Sequence, residues 1–467
     1  MAFVRLVRLA SWPAVQADEG LWTNATKNFV AFGDWFMDGS THLFLSPIFH
    51  LLSLPAFSVF GSSITSARLV SAVAGLASIA LLYLTVQRLT NNNALAMTTA
   101  IVFAVDEWTV LVSRTALIES VELAVILLAA YFLSKRTTVN LVLAGLALAL
   151  ALLTKLNSVF MLPVFALFLL TDSRTQTPHI GRTALRVLLV GGMATLCAGL
   201  MYYLLYRVDP QRFVNAFRFE LDGVHFESIS RPLLRVGRFG LDPSTAATTM
   251  MELFRESPFL WVLGALGFGH QCFERPRRMP LFGLWFVVGF SFFLLQMYQP
   301  TRYFYLITPA VAFFAACAIL RIADPYWVRR GRVAGHGALA TATFVAFSLA
   351  YIAGGHASNS ENRLPLIVQW VERETLPTDR IMASGFVATD LKRRAYAHYK
   401  FARSEEELLG SVRQLEIDFI VFDNAEWSPK QRAWLDAHYE VVQRWPFGAV
   451  YHVAGPPPVS PSGAPAP

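Results

Sequence analysis

Apolar runs of roughly 18 or more residues recur along this chain of 467 residues. That is the length a helix needs to cross the hydrocarbon of a bilayer. Only 15% of the residues are charged and 55% are hydrophobic, whereas a soluble domain usually carries about 25% charged residues. A polytopic α-helical membrane protein is the consequence. The formal net charge of +7 is of the kind that retained cytoplasmic Lys and Arg produce, so nucleic acid is not called for as a partner. Cys197, Cys272 and Cys317 stand inside apolar runs without metal-ligand or disulfide spacing, and are expected to be small buried side chains.

Ten spans are expected, at about 64–88, 94–112, 117–134, 139–154, 157–171, 184–206, 258–273, 279–297, 302–320 and 334–354. Alternate connections hold Arg88; Lys135 and Arg136; Arg174, Arg182 and Arg186; Arg275, Arg277 and Arg278; and Arg321, Arg329, Arg330 and Arg332. By the positive-inside rule these five loops are cytoplasmic. The same alternation puts residues 1–63, the 106–119 region, 207–257, the turn at 298–301 and everything after 355 outside. Ten spans with an outer C-terminus require an outer N-terminus. MAFVRLVRLASWPAVQ has no apolar core long enough for a signal peptide or a span, so either this segment lies on the membrane surface or a further helix is expected upstream.

Four regions result: a first outer loop over 1–63, a multi-helix membrane domain over 64–354, an outer α/β domain over 355–455 and a Pro-rich disordered tail over 456–467. Pro47, Pro55 and several glycines break the apolar stretch between Gly33 and Gly61, which predicts short helices along the outer interface. LPLIVQWVERETLPTDRIMAS, SEEELLGSVRQLEIDFIVFD and AVYHVAG read as helix, strand, helix, strand, with IDFIVFD a buried strand. HFESISRPLLRVGRF, in the 207–257 loop, reads as a surface amphipathic segment.

Ionisable groups are costly in lipid unless paired or solvated, so charges at the outer ends of spans are informative. Five groups share that side: Asp18 and Glu19; Asp106 and Glu107; Arg114 with Glu119 and Glu122; Lys155 in LLTKLNS; and Arg302 with Tyr303 in QPTRYFYLITP. A single Lys or Arg at a helix end is commonly a snorkelling side chain. Glu119 and Glu122, three apart, share one helix face. Together such groups suit a transfer reaction in which a carboxylate deprotonates a hydroxyl nucleophile and Arg or Lys neutralises a departing phosphate.

The motif order resembles that of the GT-C glycosyltransferases that take sugars from polyprenyl phosphate, a group including the protein O-mannosyltransferases and the aminoarabinose transferases. DEGLWTNATKNFVAFGDW is similar to the family's acidic pair with its succeeding aromatic, alanine and glycine. LSPIF, SARLVSAVAGLASIALLYL, SRTALIES, LALALLTKLNSVFMLP and RYFYLITPA continue in family order over most of residues 15–320. The resemblance implies a GT-C membrane fold with a helix ahead of the acidic pair. It also implies Asp18 as catalytic carboxylate supported by Glu19, Glu119 as the second acidic residue after Arg114, and Arg302 with Tyr303 at the donor phosphate. Lys155 and Arg114 join them as phosphate-side candidates. Where relatives often have Lys or His before the proline element, this chain has His42 followed by Leu-Phe-Leu, a departure that leaves His42 without an assigned role.

The expected function is inverting transfer of a sugar from a polyprenyl-phosphate donor to a hydroxyl on a glycan, lipid or protein, at the outer face of the cell membrane. Asp18 takes the acceptor proton and polyprenyl phosphate leaves against Arg302. No obligatory cofactor is expected, although Asp18, Glu19 and Glu119 offer the hard oxygen ligands that a divalent cation takes. The alternatives are a non-catalytic binder of lipid-linked sugars, a transporter or flippase, and a polymerase or ligase using pyrophosphate-linked donors. Transporters typically show internal repeats and charges within the spans, and neither is found in this sequence.

Overall fold

The computed structural model describes residues 2–13, 17–36, 41–171, 180–222, 234–236, 239–274, 280–296, 300–323, 342, 345–346, 349, 364–383, 387, 391, 395–397, 405–423 and 429–453. The expected span at 334–354, much of HFESISRPLLRVGRF and the Pro-rich tail fall largely or wholly outside them. The chain divides into two compact units. One holds residues 1–9, 41–51 and 68–359; the other holds 10–40, 52–67 and 360–467.

In chain order the helices are α1 Ala2–Leu6, α2 Ala17–Phe32, α3 His42–Leu45, α4 Pro47–Phe60, α5 Ile64–Thr90, α6 Asn93–Val105, α7 Glu107–Arg114, α8 Ile118–Lys135, α9 Thr138–Thr154, α10 Met161–Thr171, α11 Ile180–Val187, α12 Met193–Val208, α13 Pro210–Asp222, α14 Pro243–Glu256, α15 Pro258–Glu274, α16 Pro280–Leu294 and α17 Thr308–Ala323. Strands β1 Leu234–Val236 and β2 Phe239–Leu241 precede α14. Among the described residues three helices are long and apolar enough to cross a membrane: Ile64–Thr90 and, counted across their irregular turns, Gly181–Val208 and Thr301–Arg321. The clean span expected over 94–112 is instead two helices bent by 62°. The break falls at Asp106, whose extended backbone and side-chain Oδ2, accepting from the Thr109 N–H at 3.1 Å, cap α7. The spans expected over 139–154, 157–171 and 279–297 are shorter apolar helices, Thr138–Thr154, Leu156–Thr171 and Leu281–Leu294.

Aromatic and small residues build the core of this unit. Phe282 stacks on Phe313 at 4.5 Å, and buried Trp285 donates from its indole to the Leu306 carbonyl at 2.9 Å. Helices in lipid approach closely where their contact residues are small, and α15 packs on α17 in that way. A Cβ on Gly267 would lie 1.9 Å from the Phe314 carbonyl oxygen. Gly267→Ala should therefore cost about 1–3 kcal/mol through overpacking, read as a lower melting temperature in detergent. Gly283→Ala, which meets nothing within 4 Å, should leave it unchanged.

One expectation needs correcting here. Cys272 is exposed, Cys197 half-buried and Cys317 buried, because a helix whose outer side meets lipid has no need to bury every apolar residue against protein. At the end of the segment 225–239, β1 and β2 pair antiparallel, and the Gly240 N–H donates to the Leu295 carbonyl at 2.7 Å.

The second unit contains α2 and the C-terminal elements α18 Leu364–Glu374, β3 Ile381–Ala383, β4 Ala395–Ala397, α19 Glu405–Gln414, β5 Phe419–Asp423, α20 Pro429–His438, β6 Glu440–Trp445 and β7 Gly448–His452. The sheet order is β4-β3-β5-β7-β6, parallel across β4-β3-β5 and antiparallel across β5-β7-β6. Successive strand residues face opposite sides. Ile381, Ala383, Val421 and Val450 meet Ile367 and Val371 of α18 on one face. Met382, Ile420, Phe422 and Tyr451 meet Leu408, Val412 and Leu435 of α19 and α20 on the other. Covering both faces explains why IDFIVFD is apolar almost throughout. Beside this core, Asp436 accepts hydrogen bonds from Tyr451, at 2.8 Å, and from Arg444. Burial pushes its carboxyl up, but these donors bring it below the usual carboxylate range. Helix α2 packs against edge strand β4.

Candidate functional site

Four of the expected site residues meet in the membrane unit. Glu119 stands in the first turn of α8. Lys155 ends α9 in an extended conformation, φ −161° and ψ 136°, and opens a 3-10 turn over Leu156–Phe160. Arg302 and Tyr303 lie in a second 3-10 turn, Thr301–Ile307, which leads into α17. These turns leave the regular helix where the apolar run meets a polar residue, so their side chains converge at helix ends.

The Lys155 Nζ lies 2.8 Å from Glu119 Oε1 and 4.1 Å from the centre of the Tyr303 ring. The Arg302 Nε is 3.4 Å from the same carboxylate oxygen, and its guanidinium carbon is 5.6 Å from the Tyr303 ring. The side chain of Glu119 is 1% exposed, Lys155 13% and Arg302 20%. Two cations thus share one buried carboxylate oxygen, while Glu119 Oε2 is buried without a hydrogen-bond partner among the described residues. The two half-buried ends are cationic and backed by an aromatic face, an arrangement that accepts an oxyanion. One turn along α8, fully buried Glu122 accepts the Ser158 hydroxyl at 2.7 Å. The sequence placed Glu122 among the outer charges but not Ser158; the signal was the polar pair Asn157–Ser158 inside an apolar run.

Arg114 is placed elsewhere. Its guanidinium donates to the carbonyls of Val4, Val7, at 2.7 Å, and Arg8, at 3.2 Å. Arg5, itself fully buried, donates to the Ala104 carbonyl at 2.7 Å and to Ser113 Oγ at 3.0 Å. Arg68 donates to the Leu9 carbonyl at 2.7 Å. Three arginines so hold residues 4–9 within this unit. Arg114→Leu should leave those carbonyls unpaired at about 1–3 kcal/mol, lowering the melting temperature. Polyprenyl-phosphate affinity should stay within about twofold, whereas a phosphate-binding Arg114 would lose tenfold or more. Asp106, capping α7 and receiving the Ser257 hydroxyl, is likewise engaged structurally.

Asp18 and Glu19 occupy the first turn of α2, in the second unit. Asp18 is half-buried and Glu19 fully buried. His42 opens the short helix α3. Among the described residues no three His, Cys, Asp or Glu side chains come together as a metal site.

Residues 45–208 match the family model described as dolichyl-phosphate-mannose-protein mannosyltransferase. No curated protein matches the chain. Among solved structures it is similar to ArnT from Cupriavidus metallidurans bound to undecaprenyl phosphate, with a TM-score of 0.71 at 16% identity, covering 97% of this chain and 96% of that one. It is also similar to the Archaeoglobus fulgidus oligosaccharyltransferase tethered to an acceptor peptide, with a TM-score of 0.56 at 14% identity, over 96% of this chain and 72% of that one. A third likeness is to the arabinofuranosyltransferase AftD from Mycobacteria, TM-score 0.53 at 14% identity, over 97% of this chain and 39% of that one. The chain thus shares its fold with these solved transferases, and its residues 45–208 resemble the mannosyltransferase family model.

Proposed function

We propose that the chain transfers a sugar from a polyprenyl-phosphate donor to a hydroxyl acceptor at the outer face of a cell membrane, with inversion at the anomeric carbon. The observation that carries this is the convergence of Lys155 and Arg302 on Glu119 beside the Tyr303 ring. Lys155 and Arg302 bring two positive charges to the place proposed for the donor phosphate. That charge matters most as the phosphate leaves and negative charge builds on its oxygens. Glu119 keeps both cations in place before the donor arrives, so little reorganisation is needed on binding.

ArnT, whose fold this chain shares, was solved with undecaprenyl phosphate bound, which supports a lipid phosphate as the ligand. Asp18 is the proposed base on the family resemblance of its motif, with Glu19 beside it. The outer face rests on the alternation of basic loops. The acceptor class is a hydroxyl on a glycan, lipid or protein. The proposed steps need no divalent cation.

Binding of sugar-free polyprenyl phosphate to the detergent-solubilised chain tests the phosphate site. Saturable binding should weaken about tenfold in Arg302→Ala, the loss of about 1.4 kcal/mol. Equal binding by wild type and Arg302→Ala, or none by either folded protein, would refute the assignment.

A further inference from the structure

Two hydrogen bonds tie the Lys155 turn to α8, and they form a ladder. Lys155 Nζ reaches Glu119 Oε1 at 2.8 Å, and the Ser158 Oγ–H reaches Glu122 Oε1 at 2.7 Å, each across 36 residues of chain. The register is set by geometry. Residues three apart on an α-helix share one face, and residues three apart in a 3-10 turn eclipse each other. Glu119 and Glu122 therefore present two carboxylates to Lys155 and Ser158 in step. The ladder closes through the backbone, since the Ser158 N–H donates to the Lys155 carbonyl at 3.1 Å. At the other end of the residue the Lys155 N–H donates to the Ala151 carbonyl at 2.9 Å. The backbone that carries the ammonium is thus held on both sides, and the downstream side is anchored by Glu122.

Glu122 is fully buried, and so is Ser158. A buried carboxylate whose hydrogen-bond partner is a neutral hydroxyl is costly to keep. A leucine at position 122 would pack in its place without that cost, so a packing role alone leaves the carboxylate unexplained.

We propose that Glu122 is a positioning residue for Lys155, acting through Ser158 to hold the 155–158 turn so that the ammonium stands between Glu119 and the Tyr303 ring. Glu122 itself touches no substrate. Its effect on donor-phosphate binding rests on the phosphate role proposed for Lys155, whereas its effect on the placement of Lys155 does not.

The two effects are read separately in the full chain. Acylation of Lys155 by a water-soluble N-hydroxysuccinimide ester, located by mass spectrometry, reports how firmly the amine is held by Glu119. At 13% side-chain exposure the amine is within reach of the reagent. Glu122→Ala and Ser158→Ala should each raise the acylation rate about tenfold, and the double variant no further, because both remove one linkage. Glu122→Gln keeps an acceptor oxygen for the Ser158 hydroxyl and should behave as wild type. Ser158→Ala removes a single hydroxyl and carries the test should Glu122→Ala fail to fold. Wild-type acylation in a folded Ser158→Ala protein, or Glu122→Gln matching Glu122→Ala, would overturn the proposal. Polyprenyl-phosphate affinity is then measured in the same variants. Faster acylation with about tenfold weaker lipid binding supports both the clamp and the phosphate role. Faster acylation with unchanged lipid binding keeps the clamp and removes Lys155 from the phosphate site.

Discussion

Asp18→Asn should lower the release of polyprenyl phosphate from a lipid-linked sugar donor by about 10²–10⁴-fold, the usual contribution of a positioned general base. The substitution keeps the size of the side chain and removes its ability to take the acceptor proton. A structural role for Asp18 predicts otherwise. A carboxylate in the first turn of α2 also sits favourably against the helix dipole, worth about 0.3–1 kcal/mol. Were that its whole role, the variant would lose a little stability and keep its turnover. Glu19→Gln separates the neighbours: Glu19 is fully buried, so its loss should show mainly in stability, with a smaller fall in rate. Turnover is followed as lipid phosphate released per unit time, with melting temperature measured alongside.

Lys155→Met should reduce kcat/KM for the donor by about 10²–10³-fold, as removal of an oxyanion-stabilising donor commonly does. It should also destabilise the fold. Glu119, 1% exposed, would be left with Arg302 at 3.4 Å as its charged partner, and stripping one partner from a buried ion pair costs up to about 3–5 kcal/mol. A lysine that merely snorkels toward the interface would behave differently: its replacement by an apolar residue would leave release within about twofold and would not lower stability. Lys155→Arg preserves the charge but replaces a compact ammonium held 4.1 Å from the Tyr303 ring centre by a wider planar group, so partial activity is expected.

Much of this site was legible because membrane topology orders charges by side. Glu119, Lys155 and the adjacent Arg302 and Tyr303 lie far apart in the chain, yet each falls at the end of an apolar run on the side assigned as outer. Arg114 satisfies the same criterion and is engaged differently. What distinguishes it is its donation to the carbonyls of Val4, Val7 and Arg8, a tertiary fact that composition and span order do not register. Asp106 misled in a related way: a charge at a span end also describes an N-cap, and neither proline nor glycine announced the 62° bend. The Glu122–Ser158 bond was hidden because its register exists only once the 3-10 turn lies along α8.

In the second unit the helix-strand-helix-strand pattern was visible where strands are buried on both faces, as in Phe419–Asp423. Strand Ala395–Ala397, three residues long, is too short for periodicity to identify. Edge strand Glu440–Trp445 alternates exposed and half-buried residues, a weaker signal than the apolar run of β5.

Turnover is the most direct test of lipid-phosphate sugar transfer. The chain, with a membrane extract as acceptor, is supplied with a panel of polyprenyl-phosphate sugars, and free polyprenyl phosphate is measured for wild type, Asp18→Asn and Lys155→Met. Release from one donor in wild type, lost by about 10²-fold or more in both variants, is the predicted result. No release from any donor by a folded protein that still binds polyprenyl phosphate would contradict it, and would leave a membrane protein that binds lipid-linked sugars without transferring them.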